Sequence, residues 1–214
     1  MEIKDKTAEG VWKKVLKALL ENGADFKDRK ERQCREISNM IVTIESSEDI
    51  AKPIEILNSL KKWVYPPIEE LKASILEKDD IPGYYYHYGA RAFCYNGIDQ
   101  INDFIIPLFK TAPLSKRGVI VFFQPDKDSI VAKKEIPGML TMNFNIRNSK
   151  LNTTTIIRSN DFFYGWPGNV VQCFFLAEYI SKELNIPIGT MTTISVSAHI
   201  FKDQFEDIKK VLKE

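Results

Sequence analysis

Arg158-Ser159-Asn160-Asp161-Phe162-Phe163-Tyr164-Gly165-Trp166-Pro167-Gly168-Asn169 lies between two segments of different periodicity. Before it, Leu151 to Arg158 alternates as a strand does. After it, Val170 to Leu184 is amphipathic at helical spacing. This order places Arg158 and Ser159 at a strand end, polar residues in a loop, and Asn169 near a helix start. Guanidinium, hydroxyl and backbone N–H groups converging there suit a phosphate. The Asn169 amide offers a donor and an acceptor, as reading the edge of a base requires. On local chemistry alone, a capped helix after an ordinary loop is an equal reading.

The 214 residues suit one α+β domain spanning 1–214, with 44% hydrophobic and 28% charged residues as in a globular protein. A net charge of +1 gives no overall field toward nucleic acid or membrane, so any anion site is a local cluster. No apolar run reaches spanning length and none forms a signal-peptide core, which points to the cytoplasm. Cys34, Cys94 and Cys173 form no CxxC pair, and His87 and His199 are the only histidines, so no metal centre is expected.

Working outward, Thr7 to Glu21 predicts a helix closed by Asn22-Gly23. The charged run Asp25 to Glu36 reads as a solvated turn, followed by a strand over Ile37 to Ile44. Ala51 to Val64 and Pro67 to Leu76 read as helices, and Asp79 to Gly83 as a loop. The tyrosine-rich run Tyr84 to Tyr88 is either a core patch or a pocket lining. Ile98 to Phe109 predicts a helix and Gly118 to Gln124 a buried strand. Leu140 to Ile146 pairs with Leu151 to Arg158 around Arg147 to Lys150. Thr190 to Ala198 is a strand and Lys202 to Lys213 a closing helix. A mixed or antiparallel sheet packed by helices follows.

Several stretches, in order, resemble the thymidylate synthase superfamily. RSNDFFYGWPGN is similar to its RSxDxxxGxPxN pattern, and Ala198-His199-Ile200-Phe201 to its AHIY motif. Asp28-Arg29 resembles its phosphate loop, and Tyr88-Gly89-Ala90-Arg91 its YGxxxR segment with the Arg early. Lys116-Arg117 falls where the family carries paired arginines. The short length and the WPGN variant look most like the compact archaeal-type branch, alongside pyrimidine nucleotide hydroxymethylases. The resemblance implies that Arg29, Arg158 and Ser159 hold a nucleotide 5′-phosphate. Lys116 and Arg117 would reach it from the partner of a homodimer. Asn169 would read a uracil-type edge, Asp161 would position base and folate, and His199 would approach the ribose. Tyr88 would line the place where a proton leaves C5. A pyrimidine-like nucleoside monophosphate and a reduced folate or methanopterin-type donor are the implied ligands.

One departure governs the chemistry. The family activates C6 of the base with a cysteine thiolate, and Glu135-Ile136-Pro137-Gly138 puts Gly138 at that position. Cys94 is the candidate substitute thiol. The other readings are transfer to an already electron-rich acceptor, and a non-catalytic nucleotide-binding homologue. Phe201 replaces a tyrosine hydroxyl expected to meet the sugar. The chain ends directly after its last helix, so the family's closing tail is not expected. Glu69 and Glu70 are the candidates for the family's catalytic glutamate.

Overall fold

The computed structural model describes residues 1–79 and 85–213. Tyr84 and most of the expected loop, residues 80–83, lie outside the described residues. In chain order the elements are β1 (Glu2–Asp5), α1 (Ala8–Asn22), β2 (Ala24–Lys27), β3 (Gln33–Ile44), α2 (Lys52–Ser59), α3 (Ile68–Leu76) and α4 (Tyr88–Phe93). A π-helical turn, Gln100–Ile105, leads into α5 (Ile106–Thr111). Then follow β4 (Val119–Val121), α6 (Pro125–Asp128), β5 (Met139–Arg147), β6 (Lys150–Asp161), α7 (Trp166–Leu184), β7 (Ile188–Phe201), a 3-10 turn and α8 (Phe205–Val211).

The strands form one sheet ordered β1-β3-β7-β6-β5-β4, with β2 on the edge against β3. The β5–β6 hairpin has Asn148 and Ser149 at φ 52° and 58°, the left-handed pair that matches strand twist. The β6 and β7 strands are parallel and joined through α7. Crevices at the carboxyl ends of parallel strands are where open sheets bind ligands, and Arg158 to Asp161 ends β6.

One sheet face is apolar. Met40, Val42, Met142, Phe144, Ile157 and Met191 pack there with Trp12, Leu16 and Leu19 of α1 and Val171, Leu176 and Ile180 of α7. The Trp12 indole also donates to the Phe162 carbonyl at 2.6 Å, anchoring α1 to the loop after β6. The opposite face carries half-buried residues in cross-strand rows. Ile41, Ile194 and Ile156 make one row, and Thr43, Thr192 and Thr154 another.

Five expectations change. The charged run is a turn only at its centre: its ends form β2 and the start of β3, because polar side chains suit an exposed edge pair as well as a loop. The helix from Ala51 stops at Ser59, with Lys61 at φ 57°. The Ile98–Phe109 helix is a π turn continued by α5, with Pro107 in the first turn of α5. The Gly118–Gln124 strand shrinks to three residues, and Val119 is exposed. Finally, α7 starts at Trp166 rather than Val170, since Pro167 is favourable in a first turn.

Candidate functional site

Three distant segments meet beside the end of β6: the turn 28–32, the loop 133–136, and Arg158-Ser159. They enclose a cavity of about 390 Å³. Asp28 shapes the turn by accepting from the backbone N–H groups of Lys30 and Arg32 at 2.8 and 2.9 Å, and from Arg32 Nε at 2.9 Å. Arg29 donates to the Lys134 carbonyl at 3.2 Å, tying the turn to the loop. Arg158 donates from Nε to Pro137 O at 2.9 Å and from Nη2 to Ile136 O at 3.1 Å. A guanidinium has five donors, so Arg158 keeps others for a ligand. Lys30, Arg32, Lys133, Lys134, Glu135 and Ser159 complete the lining. The structure therefore joins Arg29, Arg158 and Ser159 in one cationic pocket. No α7 residue is among those lining it, so strand end and loops, rather than the helix terminus, make this pocket.

A second cavity, about 330 Å³, is lined by Ser74, Tyr85, Tyr86, His87, Tyr88, Gln172 and again Glu135. Tyr88 Oη accepts from the Gly138 and Met139 N–H groups, both at 3.1 Å. Burial, with Tyr86 nearby, holds its phenol well above the ordinary range, so it stays protonated. A Cβ at Gly138 would lie 3.6 Å from Tyr88 Oη, 3.7 Å from Ser159 O and 4.0 Å from Ile157 Cγ2, all ordinary contacts.

Asp161 is closed in by its own chain. Its Oδ1 accepts from the N–H groups of Phe163 and Tyr164 at 2.9 and 3.2 Å, and its Oδ2 from Gln204 Nε2 at 3.0 Å. Burial raises its pKa; the facing His199 and these donors oppose the rise. His199 is the register partner of Asp161 on β7, buried, with Ser197 Oγ 3.4 Å from its Nδ1. Asn169 lies in the first turn of α7, half-buried, its backbone N–H bonded to Gly165 O. Asp161, His199 and Asn169 thus gather around the loop after β6, outside the linings of both cavities.

Lys116 and Arg117 are exposed just before β4, at the far end of the strand order from β3. A single chain does not bring them to the pocket. Exposed Cys94 follows α4 and lines neither cavity. Cys173 is buried beside Met139, 3.5 Å between sulfurs, and burial pushes its thiol to about 11. Neither is placed as a nucleophile. Glu69 and Glu70 are exposed in the first turn of α3. Arg91 makes a buried pair with Asp128 at 3.0 and 3.1 Å instead of entering a cavity. Sequence reasoning missed Lys30, Lys134, Glu135 and Gln204. Only adjacency to Asp28-Arg29 and to Pro137-Gly138 pointed toward the first three.

Comparison with known proteins places this arrangement. The thymidylate synthase family model matches residues 57–214. A Methanothermobacter marburgensis protein named "Putative thymidylate synthase" is 30% identical over 219 residues, covering 98% of this chain and 96% of its own. A Methanocaldococcus jannaschii protein of the same name is 30% identical over 226 residues, covering 99% and 96%. A deoxyuridylate hydroxymethyltransferase of Bacillus phage SP01 is 33% identical over 129 residues, covering 57% of this chain and 33% of its own.

Proposed function

The chain belongs to the thymidylate synthase family, and on that premise we propose that it transfers a one-carbon unit, methyl or hydroxymethyl, to a pyrimidine-like nucleoside monophosphate without a cysteine nucleophile. The supporting observation is the Arg29–Arg158–Ser159 pocket beside Gly138. In this reading Arg158 and Arg29 bind the phosphate, and Ser159 adds a hydroxyl. Tyr88 lines the place where the ring proton departs. Without a thiolate to add at C6, the attacking ring carbon must draw its electron pair from a substituent already on the ring, an amino or hydroxy group. Asn169 would read the base edge, His199 would approach the sugar, and Asp161, fixed by Gln204 and two N–H groups, would hold the loop that carries Asn169.

A reduced folate or methanopterin-type donor supplies the one-carbon unit in this proposal. Its flat ring fits Trp63, 52% exposed, whose ring lies 5.5 Å from that of Tyr164, three residues after Asp161. The half-buried Ile and Thr rows of the outer sheet face support a homodimer, with Lys116 and Arg117 reaching the partner's phosphate pocket. Tritium release from C5 of labelled UMP, dUMP and CMP, with and without a methylene donor, tests the chemistry. Donor-dependent release is expected from CMP, whose ring carries an amino group, ahead of the uracil nucleotides. No release, with the nucleotides still binding by calorimetry, favours the non-catalytic homologue.

A further inference from the structure

Glu135 lines both the cationic pocket and the aromatic cavity, the only one of the described residues the two linings share. Its carboxylate is exposed and makes no ion pair or hydrogen bond among the described residues, although Arg29, Lys30, Lys134 and Arg158 line the same pocket. A carboxylate there weakens the pocket for any dianion, since like charges repel at close range. That loss is offset only if the carboxylate bonds some donor of the ligand. If phosphate fills the cationic pocket and the ring carbon lies beside Tyr88, which lines the aromatic cavity, the sugar lies toward their junction. A sugar presents hydroxyl donors, and an acceptor-only carboxylate takes the two hydroxyls of a vicinal diol, as acidic residues do for nucleotide ribose. At the end of β7, Phe201 offers no hydroxyl, and its ring is covered by the Arg32 guanidinium 4.0 Å from the centroid.

We propose that Glu135 recognises the 2′- and 3′-hydroxyls of the acceptor and makes this chain selective for ribonucleotides over deoxyribonucleotides. The inference rests on the proposed placement of phosphate and base. The test titrates the full-length protein calorimetrically with UMP, dUMP and inorganic phosphate, in wild type, Glu135→Gln and Glu135→Ala. Hydrogen bonds to a charged group should give wild type about a tenfold preference for UMP. Glu135→Ala should cut that preference below about twofold, and Glu135→Gln should leave part of it, while phosphate binding holds or tightens. Equal binding of UMP and dUMP by wild type, or a preference untouched in Glu135→Ala, overturns this role and leaves the proposed function standing. A change confined to Mg²⁺ dependence overturns it too, assigning Glu135 to a cation. No binding of phosphate or either nucleotide overturns both readings.

Discussion

Two clusters in this molecule set basic side chains around acidic ones, and they differ in whether the bonding is complete. Around Asp128 it is. Arg91 donates twice, Lys133 Nζ lies 2.8 Å away and the Gln124 N–H 2.8 Å, with Asp128 and Arg91 both buried. Both carboxylate oxygens of Asp128 are fully partnered. The cavity next to it is the reverse. Arg158 and Arg29 spend part of their donors on the carbonyls of 134–137, and Glu135 has no partner among the described residues. Lys133 borders both clusters but is committed to Asp128. A saturated cluster holds the fold; an unsaturated one is available for binding.

The largest effect should come from breaking the saturated cluster. Asp128→Ala leaves Arg91, 6% exposed, as an uncompensated buried charge. Losing one member of a buried pair costs about 3–5 kcal/mol, so urea unfolding should show a loss of that size. A loss under about 1 kcal/mol would remove the distinction between the clusters.

Arg158→Ala tests the open cluster. The expected outcome is phosphate and UMP affinity reduced about 10–100-fold, the worth of a charge-assisted bond, with stability lowered by only about 1 kcal/mol. Arg158→Lys should recover part of the affinity, since charge remains and the planar fork is lost. Unchanged phosphate affinity in calorimetry would sink the pocket assignment.

What was legible beforehand follows the same division. Arg158, Ser159, Asp161 and Asn169 stand within twelve residues, so local order alone placed them at one strand end. Lys134 and Glu135 could not be placed, because only the fold brings the loop before β5 against the turn after β2. Gln204 reaches Asp161 across 43 residues with no motif of its own. The charged run 25–36 was misread because an edge hairpin and a solvated turn expose the same polar side chains. Arg91 closes a segment that resembles a family motif, yet its partner Asp128 lies 37 residues on.

Acid should separate two carboxylates more gently. Burial pushes the Asp128 pKa up, but Lys133, the Gln124 N–H and Arg91 outweigh it and hold the group below its usual 3.8. Its stabilisation is present above 3.8 and is lost as pH falls through the lower folded value. Asp161 has the opposite sign: burial raises it, so its contribution is complete below 3.8 and is lost as pH rises through its folded value. The stability gap between wild type and Asp128→Asn should therefore shrink as pH falls from 6 to 3. A gap that widens over that range would contradict the ion-pair account.

The smallest effect on stability is expected where the chemistry changes most. Gly138 has no positive φ, and a Cβ there meets its neighbours only at ordinary distances of 3.6 to 4.0 Å. Its N–H is bonded to Tyr88 Oη, a contact any L-residue keeps. Nothing in the backbone therefore demands glycine, and Gly138→Cys should shift stability by under about 1 kcal/mol, as surface-type changes without strain do. The new thiol would stand beside Tyr88 Oη and the Ser159 carbonyl, at the edge of the aromatic cavity that Tyr88 lines. If the pocket is otherwise intact, this variant should gain donor-dependent tritium release from the C5 of a uracil nucleotide that the wild type turns over slowly or not at all. A stable variant that binds the nucleotide and still fails would mean that the glycine is not the sole departure, and that base and donor sites have diverged together.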